Sequence, residues 1–479
     1  MTDVEPSTAP AADAGGTPGL TADDLVRLTG GRLLSRSQRA ILGGAVDSRL
    51  VERDELFVAV PGERTDGHLH LADAVAHGAS ALLVTRTVDP AAMADDVTIV
   101  RVADALAALG AVAAGWRRRF DPLVVGITGS IAKTSTKEAV ATVLGAARRT
   151  LKSQGNQNNE IGLPLTLLRL RAGHEAAVLE MGMYTSGDIA DLAAMARPSI
   201  GVVTAVQAVH LSRIGTIEAV ERAKGELLEA LPANGTAVLN ADDPIVTAMD
   251  RRTAARAVRY GFAETADVAA TEVRSAGTAG MRFMLRTPAG ARDVSIPMLG
   301  RLSVHNAAAA TAVGLAAGLD LDTIATALGR GWSAPHRVEL VRLRGTTIID
   351  DSYNASPGSV VAALELLGGL PGRRVAVLGE MLELGDEHEP GHLAVGAAAA
   401  DVAELLVVVG SGAGGIAQAA VAGGLSTDRV LRVDDVDAAL DALRPRLRDD
   451  DVVLVKASRG IGLDRLVDAL RVELGEAAP

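Results

Sequence analysis

A lysine–threonine pair, Lys133-Thr134, stands between an apolar run (Leu123 to Val125) and an amphipathic pattern carrying Val140, Val143 and Leu144. Small residues, Gly129-Ser130-Ile131-Ala132, fill the junction. Strand, tight loop and helix N-terminus form a phosphate cradle, because backbone N–H groups and the helix dipole both favour an anion. Residues Gly129 to Ser135 would line it, with the Lys133 ammonium reaching the terminal phosphates and the Thr134 hydroxyl holding magnesium. The loop departs from the pattern G-x-x-x-x-G-K-[ST]: Ile127 and Ala132 occupy its two glycine positions, and the glycines present are Gly126 and Gly129. If the backbone at Ala132 needs a positive φ, alanine costs about 1 kcal/mol or more there.

Ligands of open parallel sheets sit beyond the carboxyl ends of the strands. Glu180 ends the run Ala176 to Leu179, Asp350 and Asp351 end another, and His210 follows a run that closes near Val206. Singly, each reads as a helix cap or as a surface or satisfied core group. Beside a phosphate loop, Glu180 and His210 read as functional. Lys224 is sharper. It falls among Val220, Leu227 and Leu228 on the apolar stripe of a helix expected over 215–231. It either snorkels from the edge of that stripe or is buried. A buried ammonium is costly unless paired or altered. Carbamylation would turn it into an anionic oxygen ligand for magnesium.

The elements that must position these groups follow from composition and rhythm. With 479 residues, 48% hydrophobic and only 2% aromatic, the cores must be Ala, Val, Leu and Ile, which suits helices packed closely on parallel sheets. Strand-like and helix-like segments alternate from about Leu33 onward. We expect an α/β chain with a disordered tail at 1–20, a small α/β domain at 21–115, a central domain with a P-loop-type phosphate loop on a mostly parallel sheet at 116–332, and a third α/β domain at 333–479. A net charge of −12 argues against nucleic acid or an anionic membrane surface as partner. The absence of cysteine excludes disulfides, zinc–thiolate sites and thiol catalysis. No secretory signal is visible, and the uncharged stretch 405–427 is broken by glycines, so a cytoplasmic protein is expected. Gly410-x-Gly412-x-x-Gly415 lies near the spacing of a dinucleotide fingerprint but reads as a backbone turn, and ELGDEHE (383–389) reads as a solvated loop.

Longer strings join the loop: GNQNNEIGLPLTLLRL (155–170), LEMG (179–182), AKGE (223–226), NADD (240–243), HNAA (305–308), PHR (335–337), DDSYNASPGS (350–359), LGEMLELG (378–385) and VKASRG (455–460). As an ordered set these resemble the Mur ligases of cell-wall synthesis. DDSYNA and GEMLELG look most like the members that add D-alanyl-D-alanine. Asp47-Ser48-Arg49 and PGERTDGH (61–68) resemble the family's UDP-sugar-binding module.

The resemblance implies a UDP-substrate domain, an ATPase domain and a Rossmann-like domain in a monomer. It implies that ATP phosphorylates the terminal carboxylate of UDP-MurNAc-tripeptide, and that the amine of D-Ala-D-Ala attacks the acyl phosphate. By matching position, Lys133 and Ser130 would contact ATP phosphates, with Thr134 and Glu180 at one magnesium. His210 and carbamylated Lys224 would support a second. Arg337 would reach the γ-phosphate, Asp351 the ribose and Asn306 the adenine. Ser48 and Arg49 would bind the UDP substrate, Asn158 and Asn159 would line the cleft, and Tyr353 and Asn354 would face the dipeptide. Lys456, Ser458 and Arg459 either act there or brace the last domain. The chain departs from the family at Ala132, at Ala309 where Asn is usual, and in the LSRIG run after His210. Another ligase of the family with a different amino-acid substrate, and a catalytically weak relative that binds UDP-sugar precursors, stay open as alternatives.

Overall fold

The computed structural model describes residues 18–62, 65–89, 93, 96–207 and 216–475. Three sheets divide them. The first is ordered Arg32–Ser35, Thr98–Arg101, Ala81–Val84, Leu56–Val58, Gly44–Ala45, and only its first pair is antiparallel. The second carries the loop. Its parallel part runs Val268–Ser275, Arg256–Gly261, Thr236–Asn240, Ile200–Val203, Leu123–Thr128, Ala176–Glu180, Thr150–Lys152. The third is ordered Glu339–Leu343, Thr346–Asp350, Asp451–Lys456, Arg373–Gly379, Leu405–Val409, Val430–Val433, with its first pair antiparallel. The result is three α/β units with mostly parallel sheets.

Strands covered on both faces must be apolar throughout, and Val124 to Thr128 and Ala176 to Glu180 are all buried. Helix Lys133–Gly145 and helix Gly300–Ala316 pack against each other and both lie on this sheet. The second helix presents Ala307 to Ala310, all fully buried. Small side chains let the two backbones approach closely, which is how a core nearly free of aromatics stays filled. A feature beyond the parallel rhythm is an antiparallel extension, Met281–Thr287 and Gly290–Ile296. Its signal is the alternation of buried Met281, Phe283 and Leu285 with exposed Arg282 and Arg286. The uncharged stretch 405–427 resolves into strand Leu405–Val409 and helix Gly414–Ala422. Among the described residues no helix is long and apolar enough to cross a membrane.

Candidate active site

The strand Leu123–Thr128 ends at a loop that only certain residues can build. Gly129 has φ +152°, and a Cβ there would lie 1.8 Å from Thr204 Oγ1. That hydroxyl donates to the Ile131 carbonyl at 2.6 Å and so pins the loop from the neighbouring strand end. Ser130 is held on the same side: its N–H donates to the Ala205 carbonyl, and its hydroxyl accepts from the Gln207 N–H at 2.9 Å. Ala132 takes the position before the helix in the left-handed region, φ +64°, with no side-chain cap. The conditional expectation of a positive φ at this position is therefore met by an alanine, at a cost of about 1 kcal/mol.

Glu180 reaches the loop from the adjacent strand, Ala176–Glu180, which pairs with Leu123–Thr128. Thr134 Oγ1 donates to Glu180 Oε2 at 2.8 Å, and Asn158 Nδ2 donates to Glu180 Oε1 at 2.8 Å. Glu180 is buried, so each carboxylate oxygen is aimed. A threonine hydroxyl and a carboxylate oxygen this close form a hard-oxygen donor pair, which fits Mg2+ rather than a soft metal.

Lys133 Nζ lies across the loop and donates to the Gly129 carbonyl at 2.7 Å. Burial lowers its pKa, the Glu180 carboxylate opposes that, and the Arg337 guanidinium lowers it further. Arg337 comes from the loop leading into the third sheet. It stacks on Tyr353 at 4.0 Å from the ring centre. Lys224 is 3% exposed within helix Ile217–Glu229. Burial, then the Lys133 charge, hold its pKa well below the ordinary lysine range. His210 lies outside the described residues.

The remaining expected residues spread more widely. Asn306 is buried and accepts from Thr136 Oγ1 at 3.1 Å, tying its helix to the loop's helix. Ala309 is fully buried in the core. Asn159 accepts from the Ile161 and Gly162 N–H groups, so its oxygen serves the start of a helix. Asp351 is half-buried and accepts from the buried Lys456 Nζ at 2.5 Å, and Lys456 also donates to the Asn354 carbonyl. Ser458 Oγ accepts from Leu382 N–H and Arg459 pairs with Asp464, which are bracing contacts. In the first unit Ser48 is buried, and exposed Arg49 pairs with Asp47. The Arg49 guanidinium holds the Asp47 carboxyl down to about 2.

Sequence reading missed two groups. His336 Nδ1 lies 2.8 Å from Asp350 Oδ2, and both His336 (φ +59°) and Val338 (φ +56°) flank Arg337 in the left-handed region. Lys137, fully buried on the loop's helix, was also passed over; a lysine between Thr136 and Ala139-Val140 was the available signal.

Two other features drop out on physical grounds. The Gly410–Gly415 turn already has an anion: Glu380 Oε2 accepts from the Gly412 N–H at 3.2 Å. A cleft of about 600 Å3 lined by Arg148, Arg149, Lys152 and Glu175 opens at the amino ends of strands Thr150–Lys152 and Ala176–Glu180 at the edge of the sheet, the end remote from the loop.

Three family models match the chain: "Mur ligase family, catalytic domain" over residues 43–117, "Mur ligase middle domain" over 127–314 and "Mur ligase, glutamate ligase domain" over 336–459. The UDP-N-acetylmuramoyl-tripeptide–D-alanyl-D-alanine ligase of Mycobacterium tuberculosis (strain H37Rv) is 38% identical over 94% of this chain and 97% of its own. A crystal structure of MurF from Acinetobacter baumannii superposes with a TM-score of 0.84 at 30% identity, covering 95% of this chain and 99% of the other. MurF from Thermotoga maritima, in complex with ADP, gives 0.78 at 29% identity, covering 90% and 97%.

Proposed function

This chain belongs to the Mur ligase family, and on that premise we infer that it is an ATP-dependent carboxylate–amine ligase that joins D-alanyl-D-alanine to UDP-N-acetylmuramoyl-tripeptide. The product is the pentapeptide precursor of peptidoglycan. The observation that carries the reading is the Thr134–Glu180 bond at the mouths of two adjacent parallel strands, directly after a loop built for phosphate.

A carboxylate is a poor electrophile, so the reaction needs a leaving group on it. The γ-phosphoryl group moves from ATP to the tripeptide's terminal carboxylate oxygen and ADP leaves. The neutral amine of D-Ala-D-Ala then attacks the acyl carbon, the C–O bond to phosphate breaks, and the amine gives up a proton as the amide forms. An α-amino pKa near about 8 keeps enough of that amine neutral. Lys133 and Arg337 face the phosphates and offset the charge that gathers during transfer. Thr134 and Glu180 would hold Mg2+, and His210 with a carbamylated Lys224 a second ion; such cations neutralise the phosphoryl oxygens. We assign Ser130 to the phosphates, Asn306 to the adenine side, Asp351 to the ribose, and Asn158, Asn159, Tyr353 and Asn354 to the cleft where the peptides meet. Ser48 and Arg49 are assigned to the UDP end. We place the unit boundaries near residues 115 and 332, and the enzyme, as a monomer, in the cytoplasm, where ATP and UDP-linked precursors are held.

The deciding experiment is phosphate release from ATP, magnesium and UDP-MurNAc-tripeptide, with D-Ala-D-Ala exchanged for single amino acids. Release with the dipeptide alone is expected. Release with only a single amino acid would reassign the substrate, and none with any amine would leave a binding relative.

A further inference from the structure

Lys137 is fully buried, one helical turn beyond Thr134. Its Nζ donates to the carbonyls of Ser153 at 2.7 Å and Gly155 at 3.0 Å, and lies 3.0 Å from Glu138 Oε1. All three N–H directions are thus used. Glu138 is itself bridged to Lys152. For filling space alone, a methionine would serve without desolvating a charge. What the lysine adds is a fixed course for residues 153–155, which leave the edge strand Thr150–Lys152.

That course is where Glu180 is held. The Glu180 N–H donates to Ser153 Oγ at 3.2 Å, and a few residues on Asn158 orients Glu180 Oε1. The Asn158 carbonyl in turn accepts from Gly182 N–H at 2.7 Å. The second carboxylate oxygen is held by Thr134, on Lys137's own helix. Lys137 therefore clamps together the two elements that grip Glu180 from either side.

We propose that Lys137 is a positioning residue for the nucleotide–cation site, acting through Ser153 and Asn158 on the Glu180 carboxylate. The proposal rests on the reading of Thr134 and Glu180 as cation ligands. Partners that orient a metal ligand are worth about 10- to 100-fold in metal affinity.

The test uses the full chain with a non-hydrolysable ATP analogue and Mn2+ as the probe, free ion being followed by electron paramagnetic resonance. At a temperature where circular dichroism shows both proteins folded, Lys137→Met should weaken Mn2+ binding by about tenfold or more. Ser153→Ala should weaken it in the same direction, and the double variant by less than the product of the two, since both act through one segment. Unchanged Mn2+ affinity in Lys137→Met overturns the proposal. Should that variant fail to fold, unchanged affinity in Ser153→Ala does so. Wild-type protein that takes up no Mn2+ with the analogue overturns the cation reading itself, and this inference with it.

Discussion

Lys224 is buried within reach of the Lys133 charge, and among the described residues no hydrogen bond or ion pair engages its ammonium. Two like charges in one enclosed space favour the neutral amine on the deeper one. A neutral amine is the form that adds CO2.

The first expectation follows. Protein equilibrated with 13C-bicarbonate should show a carbamate carbon signal that Lys224→Ala lacks, and that variant should lose nearly all turnover without rescue by bicarbonate. Normal turnover in Lys224→Ala would remove the carbamate. The pH dependence has a definite sign. The folded-state pKa is lowered from the unfolded value near about 10.4, so between the two the unfolded chain binds the extra proton. In CO2-free buffer this residue makes stability rise with pH across that window, and Lys224→Met should flatten the slope of unfolding free energy against pH.

Ala132 sits at φ +64° where the Walker pattern has glycine. Ala132→Gly should raise stability by about 1 kcal/mol in urea unfolding, because a left-handed alanine is relieved. Activity should stay within about tenfold, a barrier change of about 1.4 kcal/mol. A larger gain would show that the natural loop is impaired. Gly129→Ala is the opposite case. Its Cβ would collide with Thr204 Oγ1, and loss of ATP binding by calorimetry is expected.

Arg337 is delivered by a strained triplet. Val338 is β-branched and holds φ +56°, a conformation that costs about 1–3 kcal/mol and persists only when surrounding contacts enforce it. The His336–Asp350 pair, with Asp350 fully buried, is one such contact. Asp350→Ala should therefore lower kcat by about tenfold or more. The KM for the UDP substrate, which we assign to the first unit, should move little. Equal losses in both would point to general unfolding instead.

Glu380 occupies the glycine turn at 410–412, and a Cβ on Gly412 would lie 2.1 Å from its Oε1. NADH titrated against the protein should give no saturable fluorescence change. Saturable binding there would reopen a dinucleotide role for the third unit.

Much of this protein was legible in one dimension. Apolar runs such as Leu123 to Val125 and Leu405 to Val409 marked buried parallel strands, and the order strand, small-residue loop, Lys133-Thr134 marked the turn from strand into helix. Lys224 betrayed its burial by its place in an apolar stripe. These signals are local, because strand and helix periods repeat over a few residues. The sequence alone therefore determined the α/β class, the loop and the identity of the nearby acid.

Tertiary structure decided which groups meet. Thr134 and Glu180 are 46 positions apart and are joined because the strand that leads into the loop before Thr134 is the in-register neighbour of the strand that ends at Glu180. Thr136 and Asn306 are 170 apart and meet because two small-residue helices pack together. No spacing rule shows that Asn159 caps a helix, that Lys137 clamps residues 153–155, or that Arg337 stacks on Tyr353. Such contacts depend on strand order and helix packing, which place side chains in space without regard to their separation along the chain.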